Sequence, residues 1–484
     1  MKGSLLLKAP GILETWGPEI SDFSGDICTD TRKIQQGQAY MALNGEIFRG
    51  IKFAEKALEQ GSPLVITECL EGERSTLLEL HDKYPQASFL IVDNATKYFQ
   101  DVAKIWARQW RDQNPQRFLI GLTGSNGKTT TKEMLKFLLE GITPQRVLAT
   151  KGNLNNQFGV PMTLLRLDEN IDIGVIEMGT NSPGEIEILS QIAEAEAGLI
   201  TNIGAAHLEF LGNLEGVFHE KIALYRTYSG LKNKKFFAIN AKDFYLRRLM
   251  AFPDVTALEE AEGLPLQNHQ YLYFSEDQIL TILLQGKTYR IKNPYLQGEH
   301  NWENLALCLL LLSELFPEKT ECLVERAEQL SLPEMNRGEW RKLGNGSRIY
   351  MDAYNANPDS MKASFNAFVS EMIKQSPQGK LLLIMGDMNE LGENSAELHR
   401  QTAEQVAEIL KEKNFEDVEA VFIGPHAKDY KRGWPKKAVC FSSTEEAKKS
   451  FSFASEQSAG IFLKGSRSLQ LESIVDIVEK QSSN

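Results

Sequence analysis

Residues 123–131, TGSNGKTTT, combine the side chains and glycine spacing that bind the phosphates of a nucleotide. Glycines let the backbone curl so that its N–H groups face phosphate oxygens. Lys128 supplies a cation for the β- and γ-phosphates, and Thr129 offers a hydroxyl to Mg²⁺ at the start of a helix. The spacing departs from the common form, because Leu122 stands where the first glycine is expected and Gly121 comes one residue too early. The alternative, a glycine-rich turn without a ligand, is disfavoured because GKTTT opens a helical stretch directly after an apolar strand.

Glu177 is a candidate metal ligand further along the chain, and His207 and Lys221 follow it in the sequence. Glu177 ends an apolar strand, where a carboxylate is costly unless it meets a cation, so binding Mg²⁺ is its natural role. The alternative for Glu177 is an exposed loop glutamate. His207 lies in a loop, and Lys221 lies in a helical stretch. In isolation these two are more simply explained as a loop histidine with satisfied hydrogen bonds and a surface cation.

The elements that must position these residues are predicted strands that alternate with helical stretches, for example the helices at residues 53–60 and 98–110. Such alternation is typical of parallel α/β sheets. Short apolar runs predict strands at residues 39–43, 63–67, 118–122, 171–176, 198–201, 348–351, 380–385, 420–423 and 460–463.

The chain is too long, at 484 residues, for one hydrophobic core, so several domains are expected. We predict an α/β protein of three domains. Residues 1–96 form a smaller N-terminal α/β domain, and residues 97–330 form a central domain with the phosphate loop on a parallel sheet. Residues 331–484 form a C-terminal Rossmann-like α/β domain.

Unusual polar segments repeatedly follow predicted strands. In the central block these are TGSNGKTTT, EMG and TNIGAAH, and in the third block they are DAYNANPDS, GDMNELGE and KGSRS. Ligands of open parallel α/β sheets bind beyond the carboxyl ends of the strands. A random scatter of polar loops would not favour one end of every strand, so the segments together indicate a binding site more strongly than any one of them.

Composition excludes several other classes of protein. The 65 acidic residues outnumber the 53 Lys and Arg, giving a net charge of -12, which argues against broad binding to nucleic acid or to a membrane surface. The five cysteines show no CxxC spacing, which is typical of a reducing compartment and gives no sign of a zinc site. The first ten residues carry only three consecutive leucines, and no run approaches the roughly 20 apolar residues that span a bilayer. We therefore expect a cytoplasmic protein without membrane insertion.

The ordered motifs resemble those of the Mur ligases, the ATP-dependent amino-acid ligases of peptidoglycan precursor synthesis. The similar central segments are TGSNGKTTTK, KGNLNNQFGVPMTLL, EMGTNSPGEIE, TNIGAAHLEFLGNLEGVFHEK and GEHNWENLALC. DAYNANPDSM, GDMNELGE and KGSRS in the third block resemble the members that add D-alanyl-D-alanine to UDP-N-acetylmuramoyl-tripeptide. A ligase adding the third amino acid and a folate polyglutamate ligase stay open as alternatives. So does a regulatory P-loop NTPase, which would hydrolyse ATP without a carboxylate acceptor.

The resemblance implies roles for the residues of a catalytic site that uses ATP and two Mg²⁺ ions. Lys128, Glu177, His207 and Lys221 would be catalytic. Thr129 and Glu177 would bind one Mg²⁺, and His207 and Lys221 the second, with Lys221 carrying a carbamate formed from CO₂. The nucleotide would be held by Thr123, Gly124, Ser125, Asn126, Gly127, Lys128, Thr129, Thr130, Asn301, Asn304, Arg337 and Asp352.

The resemblance also implies contacts with UDP-N-acetylmuramoyl-tripeptide and D-alanyl-D-alanine. The implied residues are Thr31, Arg32, Asn44, Gly45, Asn155, Asn156, Tyr354, Asn355 and Asn357. For the asparagines the alternative is turn formation. Arg49 and Ile51 stand where the family has an acidic residue and a histidine, so its detailed nucleotide-sugar contacts are not carried over. Ala353 stands where serine is common. We expect a monomer, and the chain holds no readable code for lysine or diaminopimelate as the third residue of the peptide.

The implied reaction transfers the γ-phosphoryl group of ATP to a carboxylate, and the amine of the second substrate then attacks the acyl phosphate. Phosphoryl transfer depends mainly on positioning and charge neutralisation. This explains a site without a nucleophile triad. Since Arg337 and Asp352 lie beyond the central block, we expect the third domain to close onto the nucleotide before the reaction.

Overall fold

The computed structural model contains three β-sheets, each flanked by helices, which confirms the predicted α/β class. It describes residues 2–45, 48–143, 146–261, 271–276, 279–332, 337–343, 346–376, 379–450 and 459–475. Among these residues, no helix is both long and apolar enough to cross a membrane.

The first sheet has five strands in the order β1-β5-β4-β3-β2, parallel except for the β1–β5 pair. Its buried apolar residues form two small cores, one on each face. The strands are β1 (Ile12–Trp16), β2 (Ile27–Cys28), β3 (Ala39–Ala42), β4 (Leu64–Glu68) and β5 (Ser88–Val92), and the helices are α1 (Gly3–Leu6), α2 (Ala54–Glu59) and α3 (Arg74–Lys83).

The central sheet has nine strands in the order β14-β13-β12-β11-β10-β9-β6-β8-β7, and its parallel part runs from β7 to β12. Its strands are β6 (Phe118–Thr123), β7 (Arg146–Ala149), β8 (Ile171–Glu177), β9 (Ala197–Ile200), β10 (Phe237–Asn240), β11 (Val255–Glu260), β12 (Tyr271–Glu276), β13 (Ile279–Leu284) and β14 (Lys287–Lys292). Its helices are α4 (Ala95–Asp112), α5 (Lys128–Glu140), α6 (Gly159–Leu164), α7 (Glu185–Ala193), α8 (Leu208–Leu211), α9 (Leu214–Lys221), α10 (Ala223–Ser229), α11 (Glu299–Leu315) and α12 (Thr320–Glu328).

The third sheet has six strands in the order β15-β16-β20-β17-β18-β19, antiparallel only between β15 and β16. Its strands are β15 (Arg337–Lys342), β16 (Arg348–Asp352), β17 (Leu381–Gly386), β18 (Val418–Ile423), β19 (Ala438–Phe441) and β20 (Gly460–Lys464). Its helices are α13 (Pro358–Gln375), α14 (Ser395–Glu412), α15 (Ala427–Gly433) and α16 (Thr444–Ser450).

Every strand predicted from an apolar run is confirmed, with ends displaced by two residues or fewer. Eleven strands were not predicted from the sequence, namely β1, β2, β5, β7, β10, β11, β12, β13, β14, β15 and β19. Edge and antiparallel strands tolerate polar side chains because one face or one edge meets water. The sequences of β1, β14 and β15 therefore lack the continuous apolar run of a buried parallel strand. This reason does not apply to β13, whose sequence ILTILL is apolar and buried.

Helix α4 packs into two cores. Phe99 and Val102, in its first half, lie in the core of the first sheet. Ala107 and Trp110, in its second half, lie in the core of the central sheet. The proposed domain boundary between residues 96 and 97 therefore falls near the start of a helix that both domains share.

Helix α11 is buried on nearly all sides. Every residue from Leu305 to Leu312 is at most 1% exposed, and these side chains pack against Met134 and Leu138 of α5. A helix that is apolar all round must be enclosed by protein. This burial fixes the amino end of α11, with Asn301 and Asn304, relative to the start of α5.

We predict that Leu310→Ala destabilises the central domain by about 2–5 kcal/mol, because it leaves a cavity in this core. Leu78→Ala in α3 is the matched control, since Leu78 is 46% exposed and its truncation should change stability by about 0.5 kcal/mol or less. Scanning calorimetry measures both. Equal destabilisation by the two variants would contradict the packing role of α11.

Candidate active site

A cavity of about 520 Å³ lies between the carboxyl ends of the central strands and the facing edge of the third sheet. Both sheets contribute to its walls. The sequence-predicted residues that line it are Ser125, Asn126, Gly127, Lys128, Thr129, Thr130, Asn155, Asn156, Glu177, His207, Asn301, Asn304, Asp352, Tyr354 and Asn355. The structure thus brings together residues that are more than 200 positions apart in the sequence.

The turn from β6 into α5 takes its shape from two glycines. Gly127 is the N-cap residue of α5 with φ +79°, and a Cβ there would lie 2.8 Å from Asn304 Nδ2. Gly124 has φ +153°, and a Cβ there would lie 1.8 Å from Thr201 Oγ1. Both positions therefore need glycine for conformation and for space. The loop fits between α11 on one side and the end of β9 on the other.

The phosphate loop is anchored by residues that follow β9. Asn126 N donates to Asn202 Oδ1 (2.9 Å), and Ser125 Oγ exchanges hydrogen bonds with the backbone N and O of Gly204 (2.9 and 3.0 Å). Lys128 Nζ donates to the carbonyl of Gly124 (2.7 Å). Thr123, at the end of β6, is also held by a hydrogen bond. Its buried hydroxyl donates to Met178 O (2.8 Å) and ties β6 to the residue after β8.

Glu177 has one oxygen in use and one without a hydrogen bond. Its Oε1 accepts hydrogen bonds from Thr129 Oγ1 (3.1 Å) and Asn155 Nδ2 (2.8 Å). Its Oε2 is buried and has no hydrogen-bond partner among the described residues; the nearby cation is Lys132 Nζ, 4.0 Å away. A buried carboxylate oxygen in this state is costly unless it meets a cation. Its position beside a threonine hydroxyl fits a Mg²⁺ that completes its shell with phosphate oxygens and water.

The described part of the chain holds no group of three or more His, Cys, Asp and Glu side chains that could enclose a metal without other ligands.

His207 contacts the third sheet. Its Nδ1 lies 2.5 Å from Glu390 Oε2, at ion-pair distance but outside hydrogen-bond geometry. The interaction with His207 lowers the pKa of the Glu390 carboxyl. His207 therefore stands at the domain interface, within the cavity wall.

Lys221, the last residue of α9, is completely buried. Its Nζ has no hydrogen-bond partner in the part of the chain that the structure describes. Burial, and then the nearby charge of Lys128, lower the pKa of Lys221 well below its ordinary value. A lowered pKa favours the neutral amine more than in an exposed lysine, and the neutral amine is the nucleophilic form.

In the third sheet, Asp352 is engaged by its own domain. Its Oδ2 accepts hydrogen bonds from Lys464 Nζ and Ser364 Oγ, both at 2.5 Å. Lys464, which is buried, also donates to Asn355 O (2.9 Å). Lys464 thus connects the KGSRS turn to the loop after β16. Arg337 begins β15, but its side chain lies outside the described residues.

Two more contacts join the third domain to the phosphate loop and its neighbour. Asn357 Nδ2 donates to Asn126 Oδ1 (2.8 Å), and Asn357 is also the N-cap of α13. Asp359 Oδ2 accepts from Ala205 N (2.8 Å). The turn-forming alternative for Asn357 and its contact with the phosphate loop are therefore both realised.

Other asparagines also act as local structural groups. Asn156 Oδ1 accepts from Gly159 N (2.9 Å) at the start of α6. Asn44 Nδ2 donates to Glu68 (2.7 Å), and Asn44 Oδ1 accepts from Gly50 N (3.0 Å). Among the described residues, those predicted in the first domain, Thr31, Arg32, Asn44 and Gly45, do not line the cavity.

The two departures from the family pattern have structural explanations. Arg49 forms a bidentate ion pair with Glu73 (3.0 Å for both hydrogen bonds) and lies 3.6 Å from Glu68. Ile51 is buried in the core of the first domain. Arg32 is exposed and pairs with Asp30.

Sequence reasoning selected the GDMNELGE and KGSRS segments but none of their residues. Glu390 and Lys464 are the side chains of these segments that contact predicted site residues. Asp359 and Lys132 were also missed. The position directly after a strand was the signal available in the sequence, and it does not identify which side chain turns toward the cavity.

Comparison with known proteins gives two family matches. Residues 122–312 match the Mur ligase middle domain, and residues 336–467 match the Mur ligase, glutamate ligase domain. The first range contains the phosphate loop, Glu177, His207 and Lys221, and the second contains Asp352 and Lys464.

Individual relatives agree with these matches. UDP-N-acetylmuramoyl-tripeptide–D-alanyl-D-alanine ligase of Bacillus subtilis (strain 168) is 32% identical over 384 residues, covering 78% of this chain and 76% of that protein. The protein of the same name from Escherichia coli (strain K12) is 30% identical over 467 residues, covering 94% and 93%. A crystal structure of MurF from Acinetobacter baumannii superposes with a TM-score of 0.80 at 26% identity, covering 99% of this chain and 98% of that one.

We predict that Gly127→Ala weakens ATP binding by roughly tenfold or more, because a methyl group would displace Asn304 and the loop together; a factor of ten is about 1.4 kcal/mol. Gly184→Ala is the matched control. Gly184 is the N-cap of α7 with φ +85°, close to the φ of Gly127, but a Cβ there meets nothing within 4 Å. Both variants carry a backbone strain of about 1–2 kcal/mol. Titration calorimetry should separate them, and equal affinities for ATP would contradict the steric role of Gly127.

Proposed function

This chain belongs to the Mur ligase family, and we propose that it joins D-alanyl-D-alanine to UDP-N-acetylmuramoyl-tripeptide while ATP is converted to ADP and phosphate. It is an ATP-dependent ligase of peptidoglycan synthesis. The substrate assignment follows the relatives, and the geometry that supports a ligation is the position of two groups of residues on opposite walls of one cavity. The phosphate loop, Thr129 and Glu177 stand on one side, and the Asp352–Lys464 pair stands on the other.

The proposed chemistry starts with an attack of the substrate carboxylate on the γ-phosphorus of ATP. A new O–P bond forms, ADP leaves, and the product is an acyl phosphate. The amine of the dipeptide then attacks the acyl carbon, the C–O bond to phosphate breaks, and a proton is released. The amides of the phosphate loop and Lys128 bind the nucleotide phosphates and stabilise their charge.

Thr129 and Glu177 are the residues that we propose to hold one Mg²⁺. The unbonded Glu177 Oε2 and the Thr129 hydroxyl are suitable donors, and they lie on the same cavity wall as Lys128. When bound, Mg²⁺ supplies charge neutralisation at the phosphate oxygens. Asn155 keeps the Glu177 carboxylate oriented through its hydrogen bond to Oε1.

We further propose that Lys221 carries a carbamate and serves a second Mg²⁺ with His207. The lone pair of the neutral amine attacks CO₂, an N–C bond forms, and the nitrogen releases one proton. The product is an anionic oxygen donor in place of a cation that would repel Mg²⁺. The complete burial of Lys221 and its lowered pKa support this chemistry, since only the neutral amine can react.

Contacts of the acid substrate with Thr31, Arg32, Asn44 and Gly45 remain part of the proposal. The hydrogen bonds of Asn44 within its own domain favour a structural role for its side chain. Asn156, Tyr354 and Asn355 are proposed to meet the peptide portions from the cavity walls.

We propose that the nucleotide is contacted by Asn301, Asn304, Arg337 and Asp352, as the resemblance to the family implies. We also propose the domain division 1–96, 97–330 and 331–484. A cytoplasmic location also belongs to the proposal. It agrees with five cysteines that are all free and with a supply of ATP. We propose that the enzyme acts as a monomer, because one chain supplies both walls of the cavity.

The first test supplies the purified protein with ATP, Mg²⁺, D-alanyl-D-alanine and UDP-N-acetylmuramoyl-tripeptide ending in either lysine or diaminopimelate. We expect ADP only when acid and amine are both present, together with a product whose mass is the sum of the two substrates less one water. Omission of either substrate is the control. Steady ATP hydrolysis without the acid would instead support a regulatory NTPase.

A second test addresses Lys221. Lys221→Ala should lower kcat by about a hundredfold or more, because it removes a charge-stabilising group at the phosphoryl-transfer site. If the carbamate is the active form, short-chain carboxylic acids should restore part of the activity by supplying the missing oxygen donor. Lys232→Ala, at an exposed lysine, is the control and should keep normal turnover. Normal turnover of the Lys221 variant would exclude the assignment.

A further inference from the structure

We propose that Glu390 is a positioning residue that orients His207 and holds the third domain against the central domain during the reaction. This inference rests on the proposed function, because it gives Glu390 a role in the ligation. The motif that contains Glu390, GDMNELGE, was singled out in the sequence, and the nucleotide and metal roles considered above leave this residue without a function.

Glu390 makes two different contacts with the segment that follows β9. Its Oε2 lies 2.5 Å from His207 Nδ1, and its carbonyl oxygen accepts a hydrogen bond from Glu209 N (3.0 Å). Two residues later, Gly392 approaches so closely that a Cβ there would lie 3.1 Å from Glu209 Cα. Residues 390–392 of the third domain therefore contact residues 207–209 of the central domain in three ways, through a side chain, a backbone carbonyl and a closely packed glycine.

The backbone on both sides of this contact is unusual. His207 has φ +57° and Glu390 has φ +62°, so both lie in the left-handed region, which side chains other than glycine seldom adopt. Such conformations cost of order 1–3 kcal/mol each and persist when the surroundings determine them. That two of them meet across an interface indicates that the orientation of these side chains is under functional constraint.

The loop that carries Glu390 is rigidly attached to the third domain. Met388 N donates to Nε2 of the buried His399 (2.9 Å), and the other ring nitrogen of His399 bonds to Ser395 O. Asn389 N donates to Ser466 Oγ (2.9 Å), and Asn389 Nδ2 donates to Ser468 Oγ (2.9 Å). Glu390 therefore moves together with the KGSRS turn.

This attachment links the position of Glu390 to the third-domain wall of the cavity. The KGSRS turn contains Lys464, which binds Asp352 at the third-domain wall of the cavity. His207 lies on the central-domain wall. Through one loop, the orientation of His207 is coupled to the position of the third-domain wall of the cavity. Loss of the contact should therefore slow the reaction even where each substrate still binds.

Glu390→Gln and Glu390→Ala test this coupling. Glu390→Gln keeps the size and the backbone bond to Glu209 and removes the charge next to His207. We expect both variants to lower kcat by roughly tenfold to a hundredfold, the effect of a misplacement of about 1 Å, with the KM for the acid substrate within about twofold of wild type. Glu393→Ala is the matched control, since Glu393 is an exposed carboxylate of the same segment, and it should behave as wild type.

Two further measurements separate positioning from folding and from the proposed reaction. The melting temperature of Glu390→Gln should equal that of wild type. Small-angle scattering with ATP and Mg²⁺ should give a larger radius of gyration for Glu390→Ala than for wild type. Unchanged kcat in Glu390→Gln, or a loss of kcat matched by a loss of melting temperature, would overturn the proposal. If wild type forms no ligation product, the proposed function fails, while the scattering comparison still decides whether Glu390 holds the domains together.

Discussion

The hydrogen bonds of residues 201–207, the segment after β9, are the interaction on which the rest of the site depends. This segment anchors the phosphate loop through Ser125 and Asn126. It also receives the third domain through Asp359 and Glu390. One short stretch of backbone therefore sets the distance between the nucleotide phosphates and the opposite wall. Because its backbone groups are already paired with both partners, a shift at either side is transmitted to the other.

Two of the buried polar groups without a hydrogen-bond partner lie where the chemistry is proposed. Glu177 Oε2 and Lys221 Nζ have no hydrogen-bond partner among the described residues. Leaving such groups in the interior costs free energy that folding must offset elsewhere. The all-apolar surroundings of α11 and the cores on both sides of the central sheet are large enough to do so. The free energy of folding supplied by the core thus offsets the cost of these unpaired groups. The side chains of the site can therefore be arranged to bind ligands.

The two walls of the cavity differ in how they are built. On the central wall, the groups proposed for phosphate and metal are set by strand ends and a helix start, and their donors face the cavity. On the third-domain wall, Lys464 and Asp352 neutralise each other within one domain. A paired lysine and aspartate present dipolar groups instead of a net charge. Because Lys464 is buried and also donates to Asn355 O, the pair fixes the shape of this wall from within the third domain.

The sequence by itself determined the chemistry and the order of the elements, because short apolar runs and glycine-rich turns are local signals. TGSNGKTTT predicts the phosphate loop, and Glu177 at a strand end predicts a metal ligand, without knowledge of any distant contact. Only the tertiary structure decided which side chains meet. Asn126 touches Asn357, His207 touches Glu390, and Asp352 touches Lys464, over separations of more than 100 residues. The first two pairings arise from the packing of the central domain against the third domain, and the last arises from the pairing of β16 with β20 in one sheet. No local pattern in the chain specifies either arrangement.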